Sequence, residues 1–109
     1  MNVAEVLRAA AKRFAEDGTW ITGMMAVSEF GYRVSPCSEK AKCWCSLGAI
    51  DSTGATWENV GDAIHFFGRF VGGNNIAEWN DAPGRTQAEV VEAFEAAAEK
   101  WERENGASK

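Results

Sequence analysis

From Val3 to Asp17 the apolar residues Val3, Val6, Leu7, Ala10 and Phe14 recur at the spacing of one helix face, with Glu5, Arg8, Lys12 and Glu16 opposite. The spacing predicts an amphipathic first helix, capped by Asn2 and stopped by Gly18. Between Thr19 and Val34 that period is lost. Gly23 and Gly31 interrupt it, and Trp20, Ile21, Val27, Phe30, Tyr32 and Val34 are types that favour strands. Phe30, Tyr32 and Val34 alternate with Gly31, Arg33 and Ser35, so a short strand ending at Pro36 is expected, paired with the segment after Trp20. A helix through Met24 to Glu29 fits the same stretch.

Ser38 stands in capping position before Glu39 to Ile50, a second predicted helix with Glu39, Lys40 and Lys42 in its first turn. At about 100° per residue, its apolar residues run almost all the way round. Trp44, Ala41, Cys45, Gly48 and Ala49 cover one side and Leu47, Cys43 and Ile50 the other, which places this helix in the interior. Asp51 to Gly54 end it with turn-forming residues. A third helix is expected from about Thr56 to Val71, with Trp57, Val60, Ala63, Ile64, Phe67, Phe70 and Val71 on its apolar face and Gly72, Gly73, Asn74 and Asn75 closing it. Gly61 and Gly68 border that face. Each costs about 1 kcal/mol relative to Ala, so close approach of another element is expected there. A short helical turn carries Ile76 to Trp79, and Asn80 to Arg85 read as a loop.

Thr86 and Glu89 form a capping box that opens the last helix, Gln87 to about Glu104. Val90, Val91, Phe94, Ala97, Ala98 and Trp101 make its buried stripe, and Glu89, Glu92, Glu95, Glu99 and Glu102 its solvent arc; Gly106 ends it. The expected fold class is mainly α: a compact bundle of about four helices, with a short β-hairpin between the first and second, in one globular domain over 1–109.

Composition supports a packed core, since 46% of the 109 residues are hydrophobic and five Trp and six Phe are among them. No apolar stretch approaches the ~20 residues that cross a bilayer, and charges punctuate the first fourteen residues. Neither a signal peptide nor a membrane anchor is expected, and the three cysteines read as reduced thiols of a cytoplasmic protein. The net charge of −5 removes the electrostatic reason for phosphate-backbone binding, so no direct nucleic-acid contact is expected. That charge is also uneven. Six basic and six acidic residues lie up to Gly54, against five basic and ten acidic beyond it.

Candidate chemistry is sparse. On a regular helix Cys43 and Cys45 would point about 200° apart, so the two cannot chelate one metal ion; a site adding Cys37 and His65 lacks a recognisable ligand spacing. His65 falls on the polar side of its helix, near Asp62, Arg69 and Glu58, as a solvated histidine would. A Cys–His nucleophile pair would need it to meet a thiol on a buried helix. Gly72-Gly73 lacks the strand–loop–helix context and the lysine of a phosphate cradle. No metal site, cofactor or catalytic group follows from these residues.

Two features carry binding potential. Glu92, Glu95 and Glu99 form an acidic stripe suited to a basic protein surface, with a simple solvated face as the plainer reading. The stretch Trp79-Asn80-Asp81-Ala82-Pro83-Gly84-Arg85-Thr86 places donors, acceptors and both charges on a loop. Its plainer reading is structural: Trp79 plugs the core, Pro83-Gly84 turn the chain, and Asp81 pairs with Arg85 or accepts backbone N–H groups.

The segment from Ala41 to Ile50, with Cys45-Ser46-Leu47-Gly48-Ala49-Ile50, resembles the Cys-x-x-Gly-Ala-Leu helix of an uncharacterised family of small bacterial and phage proteins. Trp79-Asn80-Asp81, Pro83-Gly84-Arg85-Thr86 and Glu89-Val90 are similar to that family too, in the same order. Ile50 stands where leucine is usual, a volume-conserving change. The resemblance implies a cytoplasmic bacterial or phage protein and no particular activity. The leading expectation is a small, soluble, non-enzymatic interaction protein, a phage or mobile-element accessory factor that binds a host protein through its acidic C-terminal half. A small-molecule-binding domain or minor enzyme, with Trp79, Trp57 or Trp44 walling a pocket near Asn80, Asp81 and Arg85, is the alternative. An acidic nucleic-acid mimic is a third.

Overall fold

The computed structural model describes residues 1–73 and 75–106, so Asn74 of the expected closing turn lies outside the described residues. Helix α1 spans Val3–Lys12, and its start is closed by a reciprocal pair. Asn2 Oδ1 accepts from the Glu5 N–H, and Glu5 Oε1 accepts from the Asn2 N–H, each at 2.8 Å. The helix stops five residues short of Asp17. Arg13, Phe14 and Ala15 donate to carbonyls three residues back, tightening the chain into turns, and the side-chain amide of Gln87 takes the carbonyls of Phe14 and Glu16. Phe14 stays in the core without being helical.

The hairpin forms, but from other residues than the alternation predicts. Strands β1 (Ala26–Ser28) and β2 (Ala41–Trp44) pair antiparallel, with Ala26 opposite Trp44, Val27 opposite Cys43 and Ser28 opposite Ala41. Lys42 is the extra residue of a bulge. The chain from Tyr32 to Val34 returns along the outer side of β1, bridging at Val27 and Arg33. The Trp20 segment lies instead along β2, where Trp44 donates its N–H to Thr19 and accepts from Ile21. Ser28 turns the chain: its hydroxyl oxygen accepts from both the Phe30 and Tyr32 N–H groups, and Gly31 adopts φ +82°. No helix forms over Met24 to Glu29.

The same pairing corrects the second helix. The predicted span from Glu39 gives way to strand up to Trp44, because Thr19, Ile21 and Met25 occupy the backbone groups of Trp44 and Cys45. Ser38 closes a local turn on the Lys40 N–H, and helix α2 runs only over Ser46–Asp51. Its cap is Cys45, whose sulfur accepts from the Gly48 N–H at 3.3 Å. The interior position expected for this helix holds: Ser46, Gly48, Ala49 and Ile50 are buried.

Helix α3 (Trp57–Val71) is capped by Thr56, α4 is the single turn Ile76–Asn80, and α5 (Gln87–Asn105) opens on the Thr86/Glu89 capping box and ends at Gly106. Helix α1 packs on α5, α3 and α2. Leu7, Val6, Ile50, Phe67, Val90 and Phe94 are the large side chains fully removed from solvent. Phe67 and Phe94 stack with centroids 4.5 Å apart, Phe14 stacks on Phe94 at 6.4 Å, and Trp79 meets Phe67 edge-on at 5.5 Å. This aromatic row ties the end of α1 to α5, α3 and α4.

Two expectations for α3 need correction. Trp57, placed on the apolar face by spacing, is 84% exposed, because as the first helical residue it projects beyond the core. Of the two glycines, Gly68 is buried, whereas nothing lies within 4 Å of where a Cβ on Gly61 would sit. The close approach occurs at Gly48, whose Cβ would fall 2.0 Å from the Met25 carbonyl oxygen. No described helix is long and apolar enough to cross a membrane.

Candidate functional site

The Trp79 to Arg85 stretch divides between core and rim. Asn80 ends α4 and is wholly buried. Its Oδ1 accepts from Trp20 Nε1 at 2.6 Å, the Ser46 N–H at 2.8 Å and the Ser46 hydroxyl at 2.6 Å. Its Nδ2 donates to the Ile21 carbonyl at 3.1 Å and to Asp81 Oδ1 at 2.9 Å. Both amide protons are therefore used inside the fold. One side chain joins the Trp20 segment, the first turn of α2 and α4, and satisfies an N–H that the helix geometry of α2 leaves without an internal acceptor.

Asp81 is exposed but also accepts from the Gly23 N–H at 3.2 Å. Arg85 donates from Nε to the Trp79 carbonyl at 2.9 Å and lays its guanidinium over the Trp79 ring at 4.2 Å. Trp79 is half-buried between Phe67 and Arg85. These four residues line none of five surface concavities that range from about 410 to 690 Å³. The groups that looked available to a ligand hold the turn together.

The stripe on α5 is different. Glu92, Glu95 and Glu99 are all exposed, and they border a groove of about 610 Å³ between α5 and the chain leaving α1. Asp17 adds a fourth carboxylate; Phe14, Ala88, Val91 and Ala96 supply apolar wall, and no basic side chain lines it. Basic neighbours restrain part of the stripe from outside. Arg8 Nε lies 3.5 Å from Glu95, and the Arg8 guanidinium binds both carboxylate oxygens of Glu102, at 2.5 and 3.0 Å. That hydrogen bond holds the Glu102 carboxyl below its ordinary value and raises Arg8. Glu99 reaches Arg103 only at 4.0 Å, and Glu92 makes no ion pair among the described residues. The arrangement presents negative charge around an apolar strip.

The cysteines are free, and no group of three His, Cys, Asp or Glu side chains is placed to hold a metal among the described residues. Cys45 is buried, and burial pushes its thiol pKa up, away from thiolate chemistry. Cys37 is exposed and donates toward the Asp51 carbonyl. His65 is exposed, as its helical position predicts.

Sequence reasoning passed over Gln87. Its amide donates to Phe14, Glu16 and Thr19 and accepts from the Gly18 and Trp20 N–H groups, which makes it the clasp of the turn after α1. Nothing in its spacing marks it, since the first turn of a helix is an ordinary place for Gln. Arg13 likewise carries no marker in its spacing; it donates to the Ser52 hydroxyl and carbonyl, and its guanidinium lies 4.8 Å from the centre of the Trp44 ring.

Residues 1–100 match the model of a family of unknown function, DUF6197, and the chain belongs to that family. No curated protein and no solved structure matches it.

Proposed function

We propose that this chain is a small, non-enzymatic interaction protein, a cytoplasmic accessory factor of bacterial or phage origin, that binds a basic segment of a protein partner along α5. The observation that carries the reading is the groove itself: Asp17, Glu92, Glu95 and Glu99 surround Val91, Ala88 and Ala96 without a basic residue in the lining. A segment with an apolar face flanked by Lys or Arg complements it in both respects. The ligand-pocket alternative near Asn80, Asp81 and Arg85 draws no support from the geometry, because the Asn80 amide protons are already used within the fold.

The test is capture of partners from a bacterial lysate by the full chain and by a Glu92→Lys/Glu99→Lys variant, which leaves the Arg8 contacts intact. The wild-type chain is expected to retain a protein carrying a Lys- or Arg-rich amphipathic segment, with retention falling as salt rises and absent for the variant. Equal recovery of the same proteins by both chains, at low and high salt, would sink the reading.

A further inference from the structure

The outer edge of the hairpin carries a second unexplained surface, far from α5 in sequence. Along residues 32–34 the Tyr32 carbonyl accepts from Ser28 at 2.8 Å and the Val34 N–H donates to Ala26 at 3.2 Å, so these groups point inward to β1. The intervening Arg33 faces the other way. Its N–H and C=O, and the N–H of Ser35, make no hydrogen bond among the described residues. An edge of this kind is a template for another strand.

Two concavities adjoin that edge. One, of about 690 Å³, is lined by Phe30, Tyr32, Val34, Lys40 and Lys42; the other, of about 540 Å³, by Met24, Met25, Arg33 and Pro36. Successive strand residues face opposite sides, so Tyr32 and Arg33 address different concavities. Phe30 and Tyr32 are 77% and 72% exposed, too much apolar area in one place to serve the core. Charge narrows the occupant. Arg33, Lys40 and Lys42 make no ion pair among the described residues. Lys40 and Lys42 share their concavity with Glu29 and Glu39 and balance there, whereas Arg33 is the one charged side chain lining the other, with no carboxylate beside it. A second copy pairing antiparallel through both backbone groups of Arg33 would set Arg33 against Arg33, which like-charge repulsion disfavours.

We propose that residues 32–35 form a docking edge for an extended segment of a partner protein in which apolar and acidic residues alternate. The segment adds antiparallel to the sheet through the N–H and C=O of Arg33. Its apolar side chains cover Phe30 and Tyr32 on one face, and its carboxylates, alternating to the other face, meet Arg33. Main-chain bonds hold the segment, and the two concavities read its side chains.

The probe is a random peptide library displayed on phage and panned against the full chain, with the enriched peptide then titrated into isotope-labelled protein. The expected peptide alternates Val, Ile or Leu with Asp or Glu and shifts the amide resonances of 32–35 and 40–42. Arg33→Pro should weaken it at least about tenfold, since it removes one bonding N–H together with the guanidinium while breaking no internal hydrogen bond, and an edge strand accommodates proline. Arg33→Glu should abolish its binding and enrich Lys-containing peptides instead; this variant carries the test if Arg33→Pro fails to fold. The proposal is overturned if no peptide is enriched, if the shifts map to the α5 groove, or if both variants keep wild-type affinity. Concentration-dependent shifts at 32–35 without peptide would also overturn it, making a second copy the occupant.

Discussion

The helical layer of α1, α3 and α5 and the segment from Arg13 to Cys45 are held together by different forces. In the layer, large apolar side chains meet at helical spacing, and Leu7, Phe67, Val90 and Phe94 lose all contact with water. In the segment, Ala26, Val27, Ala41, Trp44 and Phe14 are buried, but the chain path is fixed by polar side chains from elsewhere: Gln87 on the turn after α1 and Asn80 on the Trp20 segment. The first kind of bonding is non-directional and roughly additive in buried area. The second is directional and concentrated, so a single side chain such as Gln87 fixes the path of the chain from Phe14 to Trp20.

That difference is open to attack from both sides. The largest effect is expected for Phe67→Ala, which removes the ring stacked on Phe94 and edge-on to Trp79; a loss of about 3 to 5 kcal/mol, read by denaturant unfolding, should leave the m-value unchanged. Gly48→Ala comes next. It forces a methyl group against the Met25 carbonyl, and a cost of about 3 kcal/mol is expected. Its mark should be local, with hydrogen exchange accelerated over 24–28 and 41–48 while α5 amides keep their protection. Thiol labelling offers a second readout: Cys37 should react first in the native wild-type protein and buried Cys45 only on opening, faster in this variant. If Gly48→Ala and Phe67→Ala gave the same exchange pattern, the two regions would be one cooperative unit and the contrast would fail.

Asn80→Ala sharpens the polar half. It strips the acceptor from Trp20 Nε1 and from the Ser46 N–H and hydroxyl, and about 2 to 3 kcal/mol should be lost. Asn80→Asp keeps the acceptor and loses the donors to Ile21 and Asp81, so it should rescue little. A result below the error of the unfolding measurement would mean that water replaces the side chain.

The smallest effect concerns the link between α1 and α5. Glu102 has a folded pKa below its ordinary value of 4.5 because Arg8 binds its carboxylate, so the folded state takes up its proton less readily than the unfolded one. The contribution is complete above that ordinary value and is lost as pH falls through the lowered folded value. Arg8→Ala should flatten this part of the acid limb of stability, and added salt should do so partially. An unchanged acid limb in Arg8→Ala would show that the pair adds nothing.

Legibility followed the same division. The amphipathic faces of α1 and α5 and the capping residues Asn2 and Thr86 were readable because their signals lie within a few residues of one another. The helix expected from Glu39 was not, since Ala41 to Ile50 is apolar enough for either structure and only the pairing of Trp44 with Thr19 and Ile21 selects strand. For the candidate sites, Glu92, Glu95 and Glu99 were identifiable as one exposed face from their spacing, whereas the groove needs Asp17 and Phe14 from another element. Asn80 looked like a loop residue free to bind, because nothing local reveals that Trp20 and Ser46 converge on it.

Periodicity, capping chemistry and charge thus determined a mainly α chain, where its long helices begin and which side of α5 meets solvent. Only the tertiary structure decided that Cys45 starts a helix, that Gly48 must lack a side chain, and that Phe30 and Tyr32 stand outside while Asn80 lies within. The physical reason is distance along the chain: a helix face is written in residues three and four apart, but a strand partner, a backbone contact or a buried amide answers to residues tens of positions away.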